Sequence, residues 1–448
     1  MALSSARRSA TLGAAGVVSF LIVATTVTVI GETSNRRSGG WVETQGTATR
    51  DRFSISQLRS FIPPTRGPFT FPSPYNTQAI RITDASDCSG QDCVNTLGYS
   101  YWRNSNAHTA SDTMWIFIGL STAKGGLGPT LFQYHKQAHT IVKIGPLFER
   151  SNKFHSSSGQ GWYFSARQPN TLYINDDTKL LRYDVVSKQF DTVFDIAPQF
   201  GGGYDIWQMH SSDDDRVHSG TLRNSRTKEY LGCFVYNETS RQFAYFPKEG
   251  VFDECHIDKS GQYLAMFEQI DSNPMMDDIF VDLSSGSKKT LLNAMGHHDM
   301  GYGYIIGGDG WNKLPNALVV YRFLPTFVSK EPVVFYNINW KVSATNHISH
   351  SNAQVGVPMS RQFACGSNAD RSTIQNEVVC FKLDGSRQQL VVAPVMTNMD
   401  AVGGGIDYVK LPKGNLDITG QYFIWTSNLS ENRLDAFLVK VPYELLFE

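Results

Sequence analysis

The sequence predicts an all-β protein, a seven-bladed β-propeller preceded by an N-terminal signal or transmembrane segment and a linker. Three observations lead there. Glycine (38), proline (18) and aromatic residues (12%) are abundant among the 448 residues, which suits short strands joined by tight turns better than helices. Segments of alternating apolar residues also recur in groups of three or four, roughly every 40 to 50 residues. Finally, "HIDKSGQYLAMFEQ" at residues 256–269 is echoed by "NLDITGQYFIWTSN" at residues 415–428, with Asp417 for Asp258 and Asn415 for His256.

Taken in chain order, Arg7 and Arg8 precede "TLGAAGVVSFLIVATTVTVI", a run without any charge that is long enough to span a bilayer. Residues 1–31 are therefore expected to be an export signal or a membrane anchor. No small-x-small cleavage site follows, which favours a retained anchor and a protein on the periplasmic or extracellular face. Residues 32–75, polar and broken by Pro and Gly, read as a linker, and residues 76–448 as the propeller. Blade starts are expected near residues 99, 152, 205, 252, 296, 345 and 405. The last blade has three strands of its own, so residues 76–84, "NTQAIRITD", are expected to add its outer strand and close the ring.

A formal net charge of -1 and 18% charged residues argue against nucleic acid as a partner. Six cysteines, an even number, agree with an oxidising compartment, and their order pairs Cys88 with Cys93, Cys233 with Cys255 and Cys365 with Cys380. No CxxC pair of zinc spacing occurs. A Gly-x-Ser-x-Gly elbow is also missing, and "GYGYIIGGDGW" lacks the context of a nucleotide-binding loop. Asn237 and Asn428 stand in glycosylation sequons.

In a propeller the innermost strands converge on the axis. The strand heads of the second to sixth blades carry His155, His210, His256, His297 or His298, and His347 at matching register. This makes the channel mouth the candidate site. His256 or His210 is the candidate base, because imidazole titrates near neutrality, and Arg216 is the candidate partner for a carboxylate. His155, Trp207 and Tyr302 are the candidate contacts to substrate, the aromatic rings being suited to a sugar face. The alternative is a non-catalytic scaffold whose histidines satisfy inner-strand backbone groups.

"HIDKSGQYLAMF" and "NLDITGQYFIWTSN" resemble the strand-entry repeat of the TolB-like propellers, and the His-headed blades resemble one enzyme family within that group, the oligogalacturonate lyases. The resemblance implies a divalent metal, typically manganese, held by late-blade histidines: here His298, or its neighbour His297, with His347 and His350, and Asp299 or Gln354 nearby. It also implies a lyase acting on short acidic oligosaccharides. On the scaffold reading the partner is instead a protein or glycan at the cell envelope.

Overall fold

The structure, a computed structural model, describes residues 39–43, 52–95, 97–149, 161–273, 275–293, 296–309, 317–323, 333–337, 346–429 and 432–448. The apolar run at 11–30 lies outside them. No helix among the described residues is long and apolar enough to cross a membrane.

The described strands form seven antiparallel sheets, the blades of a propeller. Blade 1 spans residues 113–146, blade 2 163–195, blade 3 204–247, blade 4 251–291, blade 5 298–337, blade 6 347–394 and blade 7 415–440. Blades 3 to 6 begin within two residues of the starts read from the sequence.

Local chemistry explains the hairpins. Asp184, Asn224, Asn237 and Asp282 each cap the turn that follows by accepting backbone N–H groups. Four residues on, Lys188, Lys228, Arg241 and Gly286 take positive φ and return an N–H to the capping residue's carbonyl. An Asx turn ending in a left-handed residue thus recurs in hairpins of blades 2, 3 and 4, in the outer hairpin of each and also between the second and third strands of blade 3. Asn237 is one of these caps. Asn428, the other sequon asparagine, is fully buried, and its side-chain nitrogen donates to Asn398 O and Gly403 O. A glycan cannot be attached there without dismantling that corner.

The core lies between blades. Ile80, Ile116, Ile424 and Leu438 pack where blade 7 meets blade 1, and Ile306, Leu318, Ile348 and Val379 pack where blade 5 meets blade 6. The ring closes as expected: Ala79, Ile80 and Arg81 pair with Val439, Leu438 and Phe437. Two stretches read as linker are structured as well. Gly67–Thr70 adds a further strand outside 78–81, and Trp41–Glu43 pairs with Gln389–Val391 on the rim of blade 6.

All six cysteines are paired as their order suggested. Cys233–Cys255 ties the third strand of blade 3 to the inner strand of blade 4, whereas Cys365–Cys380 joins neighbouring strands of blade 6. Thiol labelling of the unfolded, unreduced protein should therefore be near zero, and two or more labelled cysteines would contradict the pairing. The three bridges are compatible with an exported protein.

Candidate metal centre in the central channel

The site begins with two irregular inner strands. In blade 3, Tyr204–Ser211 shifts register between Trp207 and His210; in blade 4, Val251–Ile257 shifts between Phe252 and Glu254. Such bulges re-aim the residues beyond them. Glu254 and His256, two apart on one strand, then face the same way.

These side chains meet at the axis. The His210 and His256 ring centroids are 3.6 Å apart, and His256 Nδ1 lies 2.9 Å from His298 Nε2. Glu254 Oε2 accepts from the Tyr101 hydroxyl at 2.7 Å and stands 3.3 Å from His256 Nε2. One ligand atom each from His210, Glu254 and His256 lie within 4.8 Å of one another. The Nε2 atoms of His210 and His256 are buried and have no hydrogen-bond partner. Burial drives His256 and His298 down to about 3 and His210 well below its ordinary value, which favours neutral imidazoles; both nitrogens of His298 are engaged, by Gly296 O and His256 Nδ1, whereas the Nε2 atoms of His210 and His256 are open to a ligand. Burial pushes the Glu254 carboxyl up. Two orphaned imidazole nitrogens beside a carboxylate are a donor set suited to a first-row divalent ion with positions left open.

The channel is crossed by the segment that leads into blade 1. The Tyr99 hydroxyl bonds His297 Nδ1, and its ring lies 5.3 Å from that of His347. Tyr101 packs against His210, His256 and His298 at 5.1, 4.4 and 5.9 Å. Trp102 stacks on His210 and donates to Met209 O at 2.8 Å. Arg103 donates to Phe164 O in blade 2 and lies 3.4 Å from Asp213 beside blade 3. Asn104 pairs reciprocally with Asn415 of blade 7. The segment 99–104 therefore touches blades 2 to 7 and caps the histidine cluster.

Beneath the cap is a cavity of about 30 Å³ whose wall includes Tyr101, Arg103, His210, Asp213, His256 and Lys259. That is room for a water or two, not a sugar ring. Lys259 lies 3.4 Å from Asp299 Oδ1, and Tyr302 donates to Asp213 Oδ2 at 3.0 Å.

The sequence-derived candidates are distributed as follows. His210 and His256 are together, with His298 alongside, and with Glu254 they form a group that could hold a metal ion. His298, His347 and His350 do not form a triad among the described residues. His350 Nδ1 bonds Phe363 O at 3.0 Å and Nε2 meets the Tyr304 hydroxyl at 2.6 Å, so neither nitrogen is left for a metal. Asp299 accepts the His350 N–H at 2.5 Å, and the Gln354 N–H is taken by Gln362. Arg216 lies on an exposed turn, its guanidinium 3.9 Å from Asp214. Trp207 carries the Arg223 guanidinium over its ring at 4.3 Å, away from the cavity wall. Tyr302 meets the cavity wall through its bond to Asp213. His155 lies outside the described residues.

The single register also dissolves. His210 and His256 each stand two residues before the turn residue that bonds back across the hairpin, Ser212 and Asp258, but His298 stands three before Gly301. Sequence reasoning missed Glu254, although the i, i+2 spacing in "ECH" carried it. It also missed the cap, whose residues follow no period.

No family model matches the chain, and no curated protein matches it. Solved structures do. In fold, the chain is similar to the oligogalacturonate lyases. One, described as an oligogalacturonate lyase in complex with manganese, matches with a TM-score of 0.60 at 11% identity, covering 86% of this chain and 98% of that one. Another, an oligogalacturonate lyase from Vibrio parahaemolyticus, matches with a TM-score of 0.56 at 10% identity, covering 85% and 98%. At such identity the likeness is one of fold.

Proposed function

We propose that this chain is a divalent-metal-dependent lyase acting on small uronate ligands at the axial site. The observation that carries the reading is the pair of buried, unpartnered Nε2 atoms of His210 and His256 beside Glu254, above a cavity walled by Arg103 and Lys259. His210, Glu254 and His256 would hold a divalent ion such as manganese, which would supply Lewis-acid stabilisation of the charge that builds when the carbon α to a carboxylate loses its proton. Arg103 and Lys259 draw the anionic end of the ligand toward the site. Tyr101 holds the Glu254 carboxylate by its 2.7 Å bond. Lys259 Nζ, tethered to Asp299, is the cavity group placed to exchange a proton with the ligand. In the elimination the α-proton passes to Lys259 Nζ, the C–H electrons form a C=C bond between the α- and β-carbons, and the C–O bond at the β-carbon breaks to release the sugar oxygen, which takes up a proton from the same nitrogen.

A second reading is favoured by one observation, the smallness of the capped cavity. On it the metal would staple the 99–104 segment into a non-catalytic propeller that binds a protein partner at the cell envelope. One experiment separates the two. Metal analysis of the purified protein should find one divalent ion per chain. Incubation with oligogalacturonate should then raise the ultraviolet absorbance of an unsaturated uronate, and this rise should vanish on chelation. A bound ion without any such product supports the staple; no bound ion overturns the lyase and the staple and leaves a metal-free scaffold whose histidines satisfy inner-strand groups.

A further inference from the structure

Neither glycosylation sequon, Asn237-Glu238-Thr239 or Asn428-Leu429-Ser430, takes part in the axial site. A glycan is bulky and belongs on a surface, so a folded chain that carries one needs an amide nitrogen in reach of solvent and open space beside it. Asn237 offers both. It ends the third strand of blade 3, Tyr230–Asn237, and opens the outer hairpin to Gln242–Pro247. Its Oδ1 accepts from Thr239 N at 2.9 Å and Ser240 N at 3.2 Å, so the carbonyl half of the amide serves the turn. Its Nδ2 donates to no group among the described residues and is not one of the buried atoms left unpaired, so it reaches water.

The surroundings agree. Thr239, Ser240 and Arg241 are all exposed. Glu238, the middle residue of the sequon, accepts from His218 Nε2 at 2.7 Å and from Arg182 of blade 2, which holds the turn in place. The Cys233–Cys255 bridge fastens the same strand to blade 4 and is a bond of the oxidising compartment in which such transfer occurs. A sugar on Asn237 Nδ2 replaces a hydrogen that bonds nothing and leaves Oδ1 to accept both amides. At Asn428 the same change removes one of the two bonds that Nδ2 makes, to Asn398 O and Gly403 O, in a residue with no exposed surface.

We propose that Asn237 is the acceptor of an N-linked glycan attached during export. In the transfer Nδ2 gives a proton to a base of the transferase and bonds the anomeric carbon of an isoprenoid-diphosphate oligosaccharide. The bond from that carbon to the diphosphate oxygen breaks, and the diphosphate leaves with the electron pair. The glycan then stands on the outer hairpin of blade 3, residues 230–247, none of which walls the axial cavity.

The test expresses the full chain in yeast, isolates folded protein from the secretory compartment, and treats it with peptide N-glycosidase in heavy-oxygen water. Mass spectrometry should find residue 237 converted to a labelled aspartate and Asn428 unmodified. Asn237→Gln should abolish the glycan. Thr239→Ala should abolish it as well while keeping the Asn237 cap, so its melting temperature should stay within about 1 °C of the enzymatically deglycosylated chain. Thr239→Ser, which keeps the sequon, should keep the glycan. Folded protein with Asn237 unmodified, a chain that never enters the secretory compartment, or a glycan on Asn428 in its place overturns the proposal. No metal or uronate enters the experiment, so this result and the lyase reading stand or fall separately.

Discussion

Replacing Asp258 by alanine is expected to destabilise the protein by about 3 to 5 kcal/mol. This carboxylate is fully buried and accepts four hydrogen bonds: from Gln262 N and Tyr263 N at 2.9 and 3.0 Å, from the Ser260 hydroxyl at 2.7 Å, and from Gly303 N at 2.9 Å. The first three shape the turn between the inner two strands of blade 4. The fourth belongs to blade 5. Alanine would leave these donors without their acceptor, three of them backbone amides, and remove a link between neighbouring blades. By calorimetry the melting temperature should fall on the order of 5 to 10 °C. Asp258→Asn, which keeps one acceptor oxygen, should lose about half as much. A shift under about 1 °C for the alanine variant would show that the turn is held by something else.

The same construction recurs at Asp417, where the carboxylate accepts from Tyr422 N, Thr419 N and His108 Nε2 and so ties blade 7 to the segment that leads into blade 1. This explains what was legible in the sequence. The repeated element in "HIDKSGQY" and "NLDITGQY" is the aspartate with its Gly-Gln-Tyr turn, because the turn needs that carboxylate in both blades. The residue two positions earlier only faces the axis, so it varies: His256 in one blade, Asn415 in the other. Blades and closure were readable because they rest on local turn chemistry and alternating strands.

The site was harder to read because its geometry depends on slips of a single residue. A one-residue change of register turns a strand's side chains to the other face, and the bulges before His210 and Glu254 are such changes. His350 was drawn into the metal set by its nearness to His347 in sequence, but the long turn after Ser349 carries it to Tyr304 and Phe363. The cap left no mark at all. Tyr101 meets Glu254 across 153 positions and Tyr99 meets His297 across 198, contacts that no local pattern encodes.

The metal reading makes the second large prediction. Chelator-treated protein titrated with Mn²⁺, with the free ion followed by electron paramagnetic resonance, should bind one ion per chain. His210→Ala and His256→Ala should each weaken binding by at least about 100-fold, because each removes a donor from a set of three. Glu254→Gln should act in the same direction, since it removes the only formal negative charge among the donors. His298→Ala should cost roughly ten-fold, because His298 Nε2 meets His256 Nδ1 at 2.9 Å and so fixes which His256 nitrogen faces the ion. His350→Ala separates this set from the one the family resemblance implies. With both His350 nitrogens engaged by Tyr304 and Phe363, its loss should lower stability by about 1 to 3 kcal/mol and leave manganese affinity unchanged. Zinc should displace manganese from the site, as the order of divalent affinities for nitrogen and oxygen donors requires. Full affinity in His256→Ala together with loss in His350→Ala would move the metal to the late blades and refute the His210, Glu254 and His256 assignment.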